Sequence, residues 1–273
     1  MMFRNLIASI PVLFATLAFS LSAVAQNVLR PQYLSEGLGR SFVSGEDLTY
    51  TVRYGFVTGG LGHFTVRDTT INGRRVNHIV CAGQTTGVAD VFFKVHDSYE
   101  SYLDAETQKV VMSKRNIREG KYKYNDVVTY DNRSHLISKS IRKRDKPEIH
   151  ATQSAPVDII DMVGAFYHAR NNAFSDNLSV GDTISYETFF SNEIFPLRIV
   201  YRGKETIKTK LGKIECLKLS PVTEVGRTFN SDDDMHLWIT NDGNHLPVKI
   251  QFDLTVGSFV CELTDASGLK NPY

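Results

Sequence analysis

From Leu246 to Val256 the chain alternates: Leu246, Val248, Ile250, Phe252, Leu254 and Val256 share one side, and Lys249, Gln251, Asp253 and Thr255 the other. A period of two belongs to a β-strand, whose successive side chains point to opposite faces. Such a segment has one face to bury and one to leave in water, so it needs a half-buried sheet around it. The same rule governs Leu48, Tyr50, Val52, Tyr54 and Phe56, set against Thr49, Thr51 and Arg53. A return strand begins at Phe64 and Val66, and further strands are expected over 76–86, 98–104, 109–117, 122–130, 136–143, 195–201, 214–221, 235–240 and 258–264. Gly59-Gly60, Asn72-Gly73, Leu211-Gly212-Lys213 and Asn241-Asp242-Gly243-Asn244 read as the turns between them.

One stretch keeps a different period. Ser154-Ala155-Pro156 has the chemistry of a helix start, and Val157, Ile160, Met162, Val163, Phe166 and Tyr167 follow at spacings of three and four. We expect one helix near 157–170, with Asp158 and Asp161 complementing the dipole of its first turns. About a dozen strands with short connections favour an antiparallel meander that curls rather than lies flat. The expected fold is mainly β: a large curved antiparallel sheet, half-barrel or barrel-like, with the helix on its concave side.

The beginning of the chain is of another kind. Arg4 precedes an apolar run from Leu6 to Leu21, and Ala23 and Ala25 supply the small residues that a signal peptidase requires. Residues 1–25 therefore read as a signal peptide cleaved before Gln26, residues 26–44 as an extended segment, and residues 45–273 as one β-rich domain. The expected location is outside the cytoplasm, periplasmic before secreted. No later segment is long and apolar enough for a transmembrane helix. With Arg4 gone, 30 basic residues balance 30 acidic ones, which argues against nucleic acid as a partner. The three cysteines, Cys81, Cys216 and Cys261, lie in apolar strands without a Cys-x-x-Cys, and are read as buried thiols.

Chemistry-bearing residues concentrate between Asp90 and Tyr122. A catalytic reading would bring His96, Asp97 and Glu119 together as an acid–base set, although no nucleophile motif accompanies them. His236 and His245 flank a hairpin with no third residue spaced for zinc, and Asp232-Asp233-Asp234 lacks the alternation of a calcium loop. No metal or cofactor is expected.

The order of motifs resembles the DUF3108 family, exported bacterial proteins of unknown function. It is carried by Gly45-Glu46-Asp47-Leu48-Thr49-Tyr50, Phe92-Phe93-Lys94-Val95, Asp97-Ser98-Tyr99-Glu100-Ser101-Tyr102 and Asn116-Ile117-Arg118-Glu119-Gly120. Pro156-Val157-Asp158, Ala165-Phe166-Tyr167, Gly226-Arg227, Trp238-Ile239-Thr240 and Leu246-Pro247-Val248 continue it. The last two, with the Asp-Gly turn between them, also look like a hairpin of periplasmic lipoprotein carriers of the LolA/LolB type. That likeness implies a curved sheet over a hydrophobic cavity. The expectation placed first is thus a non-catalytic envelope protein binding an apolar ligand, a lipid or acyl chain. Phe92, Phe93, Tyr99 and Trp238 would line its mouth, and Asp97, Glu100 and Arg118 would orient the ligand. A structural or interaction module holding an envelope protein comes second, and an enzyme using His96, Asp97 and Glu119 third.

Overall fold

The computed structural model describes residues 28–29, 40–172, 178–222, 234–254 and 256–271. The proposed leader and its cleavage site, Gly226-Arg227 and the Asp232-Asp233 pair lie outside the described residues. The first half of the chain forms β1 (Val28–Leu29), β2 (Asp47–Tyr54), β3 (Val57–Ile71), β4 (Arg74–Thr85), helix α1 (Gly87–Phe92) and β5 (His96–Asp104). It continues with β6 (Val110–Glu119), β7 (Tyr122–Asp131), β8 (Leu136–Lys143) and β9 (Ile149–Ser154). After the short β10 (Ile160–Asp161) come helix α2 (Met162–Asn172), β11 (Thr183–Phe190), β12 (Glu193–Thr209) and β13 (Gly212–Pro221). The last strands are β14 (Met235–Thr240), β15 (Pro247–Asp253) and β16 (Ser258–Ser267).

All the strands belong to one open, curved sheet, which runs β1-β11-β12-β13-β14-β15-β16-β2-β3-β4-β5-β6-β7-β8-β9, with β10 also beside β11. Every pair is antiparallel except β1–β11 and β10–β11. Neighbours in sequence are neighbours in space from β2 to β9 and from β11 to β16. Strand β16 sews the two series together by pairing with β2, from Phe259 against Tyr54 to Ser267 against Asp47.

The mainly β fold with a helix inside its curve is as expected, and the differences are local. Gly59 and Gly60 do not turn the chain; they lie inside β3, and the turn falls at Gly55 and Phe56. Their lack of a side chain serves close packing instead. A Cβ on Gly60 would come within 2.8 Å of the Gln84 carbonyl oxygen on β4. Asn72-Gly73 is a turn, with both residues at positive φ (50° and 78°), the signature of a tight hairpin. The helix begins at Met162, five residues later than the apolar spacing predicts. Asp158 stands ahead of it at φ 61°, and Ile160 and Asp161 pair with Thr188 and Phe189 of β11 before the first turn starts.

Two devices fix α2 against the sheet. At its start, Asp161 Oδ1 accepts from the backbone N–H of Val163 and Gly164, each at 2.9 Å, and Oδ2 accepts from the Ser101 hydroxyl at 2.6 Å. That is an N-cap anchored to β5. At its end, Arg170 donates from Nη1 and Nη2 to the two oxygens of Glu46, both at 2.8 Å, and again from Nη2 to the Asn244 carbonyl at 3.0 Å. The two side chains are 2% and 0% exposed, so this ion pair is wholly inside the protein. Between the devices, Ala165, Tyr167 and Ala169 pack into a core with Val66, Ile79 and Leu103 from one series of strands and Tyr186, Leu219 and Leu237 from the other. The concave side of the sheet is occupied by α2.

Candidate functional site

Strands β5, β6 and β7 bring charge onto the helix-facing side of the sheet, where alternation would ordinarily place apolar residues. In β5 this face carries Asp97, Tyr99, Ser101 and Leu103; in β6, Ser113, Arg115, Ile117 and Glu119; in β7, Tyr124, Asp126, Val128 and Tyr130. Asp97, Glu119 and Asp126 are buried. Each charge therefore needs a partner in place of water.

Asp97 and Glu119 provide for one another. Asp97 Oδ1 accepts the Arg118 backbone N–H at 2.8 Å, and the Glu119 carboxyl is its charged neighbour. Asp97 Oδ2 and Glu119 Oε1 are buried without a hydrogen-bond donor. Burial, reinforced by the charge of Asp97, pushes Glu119 up to about 8. Burial also raises Asp97. Two neighbouring carboxyls in this setting hold one proton between them at neutral pH. His96 is one residue out of phase and exposed on the opposite face, so it bears on Asp97 only through its charge.

Arg115 is the second charged centre. Its Nε donates to both oxygens of Asp126, at 3.1 and 2.9 Å, its Nη1 to Ser191 Oγ at 2.9 Å, and its Nη2 to the Tyr124 hydroxyl at 3.0 Å and to Asp126. Its guanidinium lies 4.6 Å from the Phe190 ring centre and 4.9 Å from that of Tyr124. Ser191 and Phe190 belong to the β11–β12 turn and its approach. Arg115 thus ties β6 and β7 across the curve to the other end of the sheet order. Beside it is a cleft of about 20 Å³, bordered by Tyr99, Asp126, Asp161 and Phe190, which is the room of a water molecule rather than of an acyl chain.

The other expected site residues do not converge here. Glu100 is on the outer face, accepting from His78 at 2.9 Å and from the Tyr102 hydroxyl at 2.8 Å. The hydrogen bond from His78 is the main reason its carboxyl is held below the usual range. Arg118 is exposed, with Nε donating to Asn116 Oδ1 at 3.3 Å. Tyr99 faces inward, with its ring stacked near Phe190, and burial raises its phenol. Phe93 packs on Gly120, where a Cβ would stand 3.3 Å from the ring and where φ is +53°. Trp238 does not border the cleft beside Arg115. It is 5% exposed on the face that bears Lys218 and Lys249, whose ammonium groups stand 5.3 and 4.4 Å from its ring, and its Nε1 donates to Glu205. Register explains this placement, because Lys218, Trp238 and Lys249 are direct cross-strand partners.

Phe92 stands in different company. One end of the sheet carries the β2–β3 and β15–β16 turns, α1 and the β6–β7 and β8–β9 turns; it is called the α1 end below. Phe56 is 97% exposed there, Val91 84%, Phe92 74%, Val88 70% and Val256 56%. They are neighbours through pairing: Gly60 lies opposite Thr85, and the Tyr54 hydroxyl donates to the Val256 carbonyl at 2.5 Å. Lys94, Arg118, Lys121, Lys123, Arg144 and Lys146 are exposed along the adjoining turns. Phe92 and Arg118 stand out in the sequence by their motifs, whereas Val88 and Val91 do not, because no strand phase assigns a face to a short helix. Arg115 stands out only as part of a charged run, and Asp126 not at all. The signal that both do carry is a charge in the buried phase of the strand.

The family model described as "Protein of unknown function (DUF3108)" matches residues 49–264. A β-barrel-like protein of the DUF1849 domain family from Brucella abortus has a similar fold, with a TM-score of 0.52 over 85% of this chain and 100% of that one, at 7% identity. A DUF1089 family protein from Pseudomonas aeruginosa, 12% identical over 89% of this chain and 99% of that one, has a TM-score of 0.22 and bears on nothing further. No curated protein matches the chain.

Proposed function

This chain belongs to the DUF3108 family, and from that starting point we propose that it is an exported, non-catalytic protein that binds lipid at the α1 end of its sheet. The observation that carries this reading is the concentration of exposed apolar side chains there, beside a row of exposed cations. A monomer rarely leaves such a patch facing water without using it. Aromatic and aliphatic tips enter the acyl region of a lipid surface while adjoining lysines and arginines meet anionic headgroups. The ligand is met at a rim, because α2 fills the concave side that a carrier would use as a cavity. The export half of the proposal rests on Leu6–Leu21 and the Ala23 and Ala25 site.

The test is co-sedimentation of the protein, purified from its own host, with vesicles of phosphatidylglycerol or phosphatidylcholine. We expect an N-terminus at Gln26, retention on phosphatidylglycerol, and loss of that retention in V91D/F92D. Val91 and Phe92 are exposed, so the variant keeps its fold. Equal retention of the variant and the wild type would overturn lipid binding at this end.

A second reading has one observation of its own. Strand β9 ends the sheet order, and five of its six residues are exposed. An envelope protein could be held there by strand addition. It would then pair along Ile149–Ser154 and be indifferent to V91D/F92D.

A further inference from the structure

At the end of the sheet opposite α1, β4 leaves the Asn72-Gly73 hairpin, β5 and β16 finish, and the chain arrives from residue 40 toward β2. Arg40, Arg75 and Lys270 border a cleft of about 210 Å³ there, together with Ser44, Asp68 and Asn77. Among the described residues no ion pair joins any of these three cations to a carboxylate. Asp68, the cleft's one acid, accepts the Asn77 side-chain amide at 2.8 Å. Asp104 nearby is taken up by Arg74 at 3.5 Å and by the backbone N–H groups of Glu106 and Thr107. The cleft therefore keeps two positive charges uncompensated.

The cations are placed rather than loose. The Arg40 guanidinium donates to the Ala105 carbonyl, and the Lys270 ammonium donates to the Arg40 carbonyl. The Ala105 N–H in turn donates to the Arg75 carbonyl at 3.0 Å. Beneath them a buried amide pair, Gln108 Nε2 donating to Asn77 Oδ1 at 2.9 Å, makes a rigid floor. The three segments are thus tied to one another through Ala105 and the Arg40 carbonyl, which lowers the cost of organising a site around a ligand. The volume falls below that of a drug-sized pocket, and suits a small ion or a headgroup.

We propose that this cleft binds a phosphate group between Arg40, Arg75 and Lys270. Two guanidinium forks and an ammonium supply donors only, and their surplus of two charges matches the dianionic form of phosphate. The site is independent of the lipid-binding rim, from which it is separated by the length of the strands. The same chemistry would recognise a free phosphate or the headgroup of a phospholipid, and the measurement separates these sources.

Calorimetric titration with inorganic phosphate at low salt is run on the wild type, on R75Q/K270Q and on V91D/F92D. Co-sedimentation with phosphatidylglycerol vesicles is run in parallel. Arg75 and Lys270 are exposed, so their replacement leaves the fold intact. If the site takes free phosphate, R75Q/K270Q weakens its binding at least about tenfold, the effect of losing one charge-assisted hydrogen bond, while V91D/F92D binds it normally. If the site takes a headgroup, inorganic phosphate gives no heat, but R75Q/K270Q reduces vesicle retention. Phosphate binding and vesicle retention both unchanged in R75Q/K270Q would overturn the proposal. Failure of V91D/F92D to affect vesicles would touch only the rim.

Discussion

Asp97 and Glu119 pose a problem that elementary electrostatics answers: two neighbouring carboxyls screened from water do not both ionise near neutrality. A raised acid favours the folded state while it holds its proton. Glu119 has an ordinary value of 4.5 in an unfolded chain and about 8 in the fold. Its contribution is therefore fully present below the ordinary value and is lost as pH rises through about 8. Wild-type Tm should fall between about pH 5 and pH 8, and Glu119→Gln, which keeps a donor for Asp97 but cannot ionise, should flatten the fall. A level wild-type profile over that range would mean the pair shares no proton. The sequence contained this pair in a form that could be read. Asp97 and Glu119 are legible as acids in the buried phase of their strands, whereas His96 is near Asp97 only along the chain, and a strand sends adjacent residues to opposite faces.

At the scale of elements, α2 shows how local pattern and tertiary pairing compete. Val157 and Ile160 keep helical spacing with the residues after them, yet Ile160 and Asp161 are drawn into parallel pairing with β11, so the first turn waits until Met162. The helix then depends on its two anchors. Removing one partner of a buried ion pair strands the other charge, at a cost of about 3–5 kcal/mol, while replacing both with apolar residues of similar size recovers much of that. We expect Glu46→Leu alone to destabilise the protein by that amount, and Glu46→Leu with Arg170→Met to be clearly more stable than the single variant in chemical denaturation. If the double variant were as unstable as the single, the helix would be held by contacts other than this pair. Nothing in a one-dimensional pattern joins Glu46 to Arg170, which are 124 positions apart. Likewise, Gly59-Gly60 carries the composition of a turn, and only the nearness of β4 reveals why glycine is needed there.

For the molecule as a whole, alternation was enough to give one curved, largely antiparallel sheet, because hairpin after hairpin leaves little freedom in strand order. It was not enough to show that the concave side is filled, that the two sheet ends differ in chemistry, or that β16 returns to β2. Those features depend on which face and which end each residue reaches once the sheet curls. The return of β16 makes a strong demand on stability. A chain ended before Ser258 would leave β2 and β15 without their shared neighbour, and we expect it to lose cooperative unfolding in a denaturant titration. A truncated chain that still unfolds in one sharp step would show that the series β2–β9 and β11–β15 hold together through α2 alone.

The same β16–β2 pairing sets a timetable. The first long strand to be made finds its last neighbour only when residues 258–267 have been made, so the sheet cannot be completed while the chain is still being lengthened. Contacts this distant in sequence form slowly and late. The newborn protein consequently spends its synthesis with its hairpin series open at β2, and the closing of the sheet waits for nearly the whole chain.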